Sequence, residues 1–128
     1  MTIPERQRLP DTRHSITRKV DLGTGDSLLE TYFTVGFDGD GVPREIFATC
    51  NRQGDMVRGL LDGWCIMVSI ALQHDIPLQQ IHDKFRGQKF GPSGFTGQKD
   101  LPNVTSILDF AVRWMVQLVE RGEGRPPE

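Results

Sequence analysis

A chain of 128 residues with 37% hydrophobic and 25% charged residues, 14 glycines and 8 prolines has the composition of one soluble globular domain. Its length allows a single core but not a large catalytic barrel or a two-domain nucleotide enzyme, so chemistry needing such a scaffold has to come from another chain. A net charge of -2 and a pI near 5.9 lack the basic excess of a protein built to hold a DNA or RNA duplex.

Residues 1–14 hold two prolines, many charges and little apolar surface, which predicts a disordered tail. They contain no apolar stretch of the kind a secretory signal needs. The longest apolar run, Trp64 to Leu72, is far shorter than the roughly 20 residues that span a bilayer. A cytoplasmic protein without a membrane partner is expected. Cys50 and Cys65 lack the C-x-x-C spacing of zinc and redox sites and read as small buried hydrophobes in a reducing compartment.

From Ser15 the chain alternates. Ser15 to Asp21 places Ile16, Arg18 and Val20 on one face of a strand, and Leu29 to Gly36, rich in aromatic and β-branched residues, predicts a second. Leu22 to Asp26 is a glycine-rich connection. The turn-forming run Phe37 to Pro43 then leads into a third strand, Arg44 to Thr49, so these two strands form a hairpin. Asp38-Gly39-Asp40-Gly41 lacks the terminal glutamate of a calcium loop and reads as the turn itself.

After Asp55, a fair N-cap, Met56, Val57, Leu60, Leu61, Trp64, Met67, Val68, Ala71 and Leu72 recur at spacings of three and four. That is an amphipathic helix of about 20 residues. A short helix with Pro77 in its first turn shows Leu78, Ile81 and Phe85 on one stripe. A third, capped by Asn103, runs from Val104 until Arg121-Gly122 stops it. The result is an α+β fold: a small antiparallel sheet of about three strands followed by three helices packed on one face. The folded unit is 15–121, with a second tail at 122–128. Trp64, Met67 and Trp114 supply more large apolar surface than three strands obviously cover, which points to a homodimer or higher oligomer.

Between the last two helices, Arg86 to Pro102 shows neither helix nor strand pattern, and loops of that length inside a compact domain tend to carry function. Lys84, Arg86 and Lys89 are suited to a phosphate. Gly91, Gly94 and Gly97 allow close backbone approach, Ser93 and Thr96 offer hydroxyls, and Phe90 and Phe95 offer ring faces for a base. A nucleotide uses the cations, the close backbone approach and the ring faces together. The plainer reading is that the two phenylalanines pin the loop to the core. Arg58 and Arg113 either lie on solvated faces or reach the same phosphate. His74 and His82, with Asp75 and Asp83 beside them, are weaker candidates for a metal, and no serine or cysteine sits in a nucleophile motif.

The order of motifs then resembles a known family. Gly59-Leu60-Leu61-Asp62, Ser69 to Leu78, Lys84-Phe85, Phe90-Gly91-Pro92-Ser93-Gly94-Phe95-Thr96-Gly97, Ser106 to Phe110 and Arg113-Trp114 are similar to the TSCPD domain found near the C-terminus of adenosylcobalamin-dependent ribonucleotide reductases. Thr34-Val35-Gly36, Asp40-Gly41 and Glu45-Ile46-Phe47 extend the likeness, which covers about Arg13 to Met115. It implies a protein of deoxyribonucleotide metabolism, associated with a reductase that uses adenosylcobalamin, while this chain binds no cofactor alone and carries no catalytic residue. Members often continue into a cysteine-bearing tail, and Gly122 to Glu128 is cysteine-free. The expected role is a free-standing accessory or regulatory module binding a nucleotide or a reductase catalytic chain through residues 84–99. The alternatives are a nucleotide-sequestering protein and a separately encoded piece of a split reductase.

Overall fold

The computed structural model describes residues 5–52 and 54–127 and has strands first, helices after. Strands β1 (Ser15–Leu22), β2 (Leu29–Phe37) and β3 (Pro43–Cys50) form an antiparallel sheet in the order β1-β2-β3. A short 3-10 turn, Gly25–Ser27, lies in the first connection. Helices α1 (Met56–Gln73), α2 (Leu78–Phe85) and α3 (Ile107–Glu120) follow, and β4 (Gly94–Phe95) pairs with β5 (Asn103–Val104) in a separate ribbon.

Period-two alternation puts Val20, Leu22, Leu29, Phe33, Val35 and Ile46 on the inner face, all buried. Phe33 stacks on Phe110 of α3 at 6.1 Å and meets Trp114 at 6.5 Å, so α3 lies over the middle strand. Trp114, expected to contribute uncovered apolar surface, is fully buried there, whereas Met67 is 65% exposed.

Both edges of the sheet are covered. Helix α1 runs beside β3 and meets its outward backbone groups at Arg44, Ile46 and Cys50 with side chains. The Ser69 hydroxyl accepts from Ile46 N at 2.9 Å and donates to Ile46 O at 3.1 Å. Gln73 donates to Arg44 O, and Arg58 to Cys50 O. On the far edge Gln98 donates to Lys19 O, and Arg18 of β1 bonds Asp100 at 2.7 Å. An unpaired edge invites association with another strand, and these contacts occupy part of each edge.

The β2–β3 hairpin turns as the sequence predicts. The Asp38 carboxylate accepts from Asp40 N and Val42 N, which leaves it a turn former. Residues 5–14, read as a tail, contain no helix or strand but run against β3 and α1, with Gln7 N donating to Gln73 O and Arg13 bonding Glu45. At the other end Gly124 presses on the turn so closely that a Cβ there would sit 2.2 Å from Gly41 O. The expected cap of the last helix is corrected. Asn103 lies in β5, and Ser106 caps α3 by accepting from Asp109 N at 3.1 Å. The stretch read as patternless also contains β4, and β5 takes the place of the expected helix start at Asn103 and Val104, because a two-residue strand is too short to show alternation.

Asp109, in the first turn of α3, fixes the base of that loop. Its carboxylate, 2% exposed, accepts from Gly87 N at 2.7 Å, from Thr105 N at 3.0 Å and from Arg113 at 3.0 Å. Burial alone would raise its pKa. The two backbone N–H groups and the Arg113 guanidinium outweigh that and hold it below the usual carboxylate value. Thr105 completes the clasp, its hydroxyl donating to Gln88 O and its carbonyl accepting from Phe90 N.

Three expected outcomes concern stability. Ser69→Ala leaves Ile46 N–H and C=O unmet beside α1 and lowers unfolding free energy by about 1–3 kcal/mol, read by urea denaturation. Asp109→Ala removes the acceptor from three donors and lowers it by roughly 3 kcal/mol or more. Since the folded-state pKa of Asp109 is depressed, its contribution is complete above the unfolded value of about 3.9 and is lost as pH falls through the lower folded value. Stability of the parent chain therefore drops more steeply with acid below about pH 4 than that of Asp109→Asn.

Candidate functional site

The loop from α2 to α3 carries most of the residues singled out by sequence, and the structure divides them. Lys84 on the last turn of α2, Arg86 just after it and Lys89 are exposed, and among the described residues none forms an ion pair. Ser93 and Phe95 are exposed too, the phenyl ring by 74%. Thr96 is committed to the loop itself: its N–H donates to Pro102 O and its hydroxyl bonds Leu101 O while accepting from Gln98 N. Gly94 and Gly97 have φ of +111° and +76°, the left-handed region that suits glycine, and the space above them and above Gly91 is open.

Arg58 and Arg113 are held by intramolecular partners. Arg58 lies against Asp62 and Cys50 O on the α1 side, whereas Arg113 bonds Asp109 and Asn103 O at the root of the loop.

Phe90, Gly91 and Pro92, joined by a cis Gly91–Pro92 peptide, form one wall of a groove of about 290 Å3. Val57, Leu60 and Trp64 of α1 form the facing wall, with Leu108 of α3 and Arg52 also lining it. Arg52 is tethered by Asp55 and Asp26 O. The groove continues onto a bare ridge of α1, where Met56, Leu60 and Met67 are 74%, 67% and 65% exposed. By length and apolarity alone α1 is long enough to cross a bilayer. Yet Ser69, Gln73 and Arg58 on its other flank are engaged with β3. The ridge belongs to a helix fastened along one side and open along the other.

No group of three His, Cys, Asp or Glu side chains comes together among the described residues. His74 Nδ1 lies 2.9 Å from Ile70 O and His82 Nδ1 lies 3.0 Å from Asp83, so the two histidines are engaged separately. Burial pushes the Cys65 thiol up to about 12, with the Asp62 charge adding to it, which keeps it a thiol at neutral pH.

Sequence reasoning missed Ser106 and Asp109, although Ser106-x-x-Asp109 has the spacing of a capping box. It also missed Ser69, for which no local signal exists: a serine inside an apolar run shows its purpose only when β3 lies beside it.

The family model described as TSCPD domain matches residues 4–119. A vitamin B12-dependent ribonucleotide reductase of Rhodopirellula baltica is 38% identical over 112 residues, which is 88% of this chain and 10% of that protein. The same-named protein of Agrobacterium fabrum is 34% identical over 110 residues, 85% of this chain and 8% of its own length. That of Streptantibioticus cattleyicolor is 34% identical over 110 residues, 86% and 18%. The chain thus spans between 8% and 18% of these relatives. No solved structure matches. A three-stranded sheet followed by three helices, the loop of Phe90 to Gly97 and a family match over nearly the whole chain lead to one assignment: the chain belongs to the TSCPD domain family.

Proposed function

We propose that this chain is a non-catalytic accessory module of ribonucleotide reduction that docks on the catalytic body of a reductase through α1 and the loop 84–99. The observation carrying this reading is the continuous apolar surface from Met56 through Leu60 and Met67 to the Phe90 wall of the groove. Scattered exposed hydrophobes are ordinary, but a groove joined to a bare helix ridge is the form of a protein-binding face. The relatives support the reading, since in each a matching domain accompanies a much longer reductase chain.

Vitamin B12 dependence is a property in the names of those relatives. The groove does not fit a corrinoid: among the described residues no histidine lines it, and its roughly 290 Å3 is at the lower limit for even drug-sized ligands. The chain's own contribution is positioning. A second reading, nucleotide binding or sequestration on the loop, is favoured by one observation, the absence of carboxylate partners for Lys84, Arg86 and Lys89 among the described residues.

The test mixes this chain with a B12-dependent reductase from which the matching domain has been deleted and follows association by light scattering. A complex is expected, weakened at least tenfold by Leu60→Glu or Met67→Glu. Both side chains are exposed, so these variants keep the parent melting temperature. No association at tens of micromolar, or association indifferent to both substitutions, overturns the docking reading. A rise in melting temperature with a nucleoside triphosphate that vanishes in Lys84→Gln/Arg86→Gln/Lys89→Gln would support the second reading instead.

A further inference from the structure

On the opposite flank of α1, away from the loop, lies a larger cavity of about 620 Å3. That is the size of a small-molecule site. Arg6 and Arg8 of the N-terminal segment, Phe47 and Ala48 of β3 and Ile66 of α1 contribute to its walls. Three independent features meet there.

The first is charge. Arg6 rests its Nε on Gln73 Oε1, which positions the guanidinium without neutralising it, and Arg8 has no carboxylate partner among the described residues. Three carboxylates share the cavity, and two of them are matched: Glu45 takes both Nε and Nη2 of Arg13, and Asp62 takes Arg58. Asp11 alone stands against the two arginines.

The second is apolar surface. Phe47 and Ile66 border the same cavity from β3 and from α1, and remain 53% and 59% exposed.

The third is backbone. Outward groups on β3 recur at every second residue. Ile46 is met by Ser69 and Cys50 O by Arg58, but between them the N–H and C=O of Ala48 meet no partner among the described residues. Ala48 is 8% exposed and lines the cavity. One extended residue offers a donor and an acceptor side by side, the pattern complementary to the edge of a nucleobase. Buried backbone groups are rarely left unmet.

We infer that this cavity binds a nucleoside phosphate, the phosphate on Arg6 and Arg8, the base against Phe47 and Ile66 with its edge on Ala48. Guanidinium groups take phosphate oxygens in pairs, and a phenyl face accepts any base. The site is separate from the docking face, and it moves nucleotide recognition from the glycine-rich loop to the N-terminal segment.

The test is calorimetric titration of the whole chain with adenosine 5′-diphosphate and, separately, with inorganic pyrophosphate. The nucleotide is expected to bind the more tightly. Arg6→Gln/Arg8→Gln weakens both at least tenfold, and Phe47→Ser weakens the nucleotide while leaving pyrophosphate unchanged. Circular dichroism of each variant confirms that it folds, as expected for changes at exposed or half-exposed positions. Absence of binding overturns the proposal, as does loss of binding on Lys84→Gln/Lys89→Gln in place of the arginine pair. Equal affinity for the two probes with no effect of Phe47→Ser also overturns it, since the cavity would then hold an anion without a base. None of these readouts depends on a reductase partner, so failure of the docking reading leaves the outcome intact.

Discussion

Burying a carboxylate is unfavourable unless donors replace the water it loses, and at Asp109 the replacement comes from both ends of a long irregular segment. Gly87 at its start and Thr105 near its end donate to one side chain, and Arg113 one turn along α3 supplies the opposite charge. Chain that would otherwise be costly to order is thereby closed on the helix that packs over Phe33. Much of what distinguishes the surface depends on this closure. The Phe90 to Pro92 wall of the groove, the β4–β5 ribbon and the Gln98 and Asp100 contacts that cover the β1 edge all belong to the same segment.

The second organising constraint is the free edge of β3. Helix α1 is largely apolar, yet it is set against the edge by Arg58, Ser69 and Gln73, and the opposite ridge stays open. An edge strand normally has to be protected by charge, by a bulge or by a covering element. Here a helix covers it, and the same geometry leaves Met56, Leu60, Ile66 and Met67 facing outward. One flank of α1 bounds the apolar groove and the other bounds the arginine-lined cavity. The helix therefore connects two surfaces of different chemistry, one apolar and one lined by arginines.

The fold was legible wherever periodicity ran long enough. Three strands, the hairpin at Asp38 to Val42 and three helices follow from alternation, turn residues and stripes at three and four, and Asp55 caps α1 through Val57 N as the sequence implies. Tertiary contacts between distant segments were not legible. Nothing local says that Ser69 serves Ile46, that Gln98 serves Lys19, or that residues 5–14 lie against Gln73 and Glu45. Asn103 looked like a cap because asparagine favours caps, and β-pairing with Phe95 overrides that preference. Likewise Arg113 looked free because its partner, Asp109, is buried one turn away. The motif Phe90 to Gly97 lies in the segment that walls the groove, while the cavity lined by Arg6 and Arg8 was invisible until the terminus was placed beside β3.

Hydrogen–deuterium exchange at the amides of Gly87 and Thr105 tests the central claim most directly, because both N–H groups lie in irregular chain and owe their protection to a single carboxylate. Protection matching that of the α3 core amides, lost in Asp109→Ala while the β2 amides stay slow, is the result predicted. Exchange at the rate of an open loop in the parent chain would contradict it and would detach the groove, the ribbon and the covered β1 edge from their common anchor.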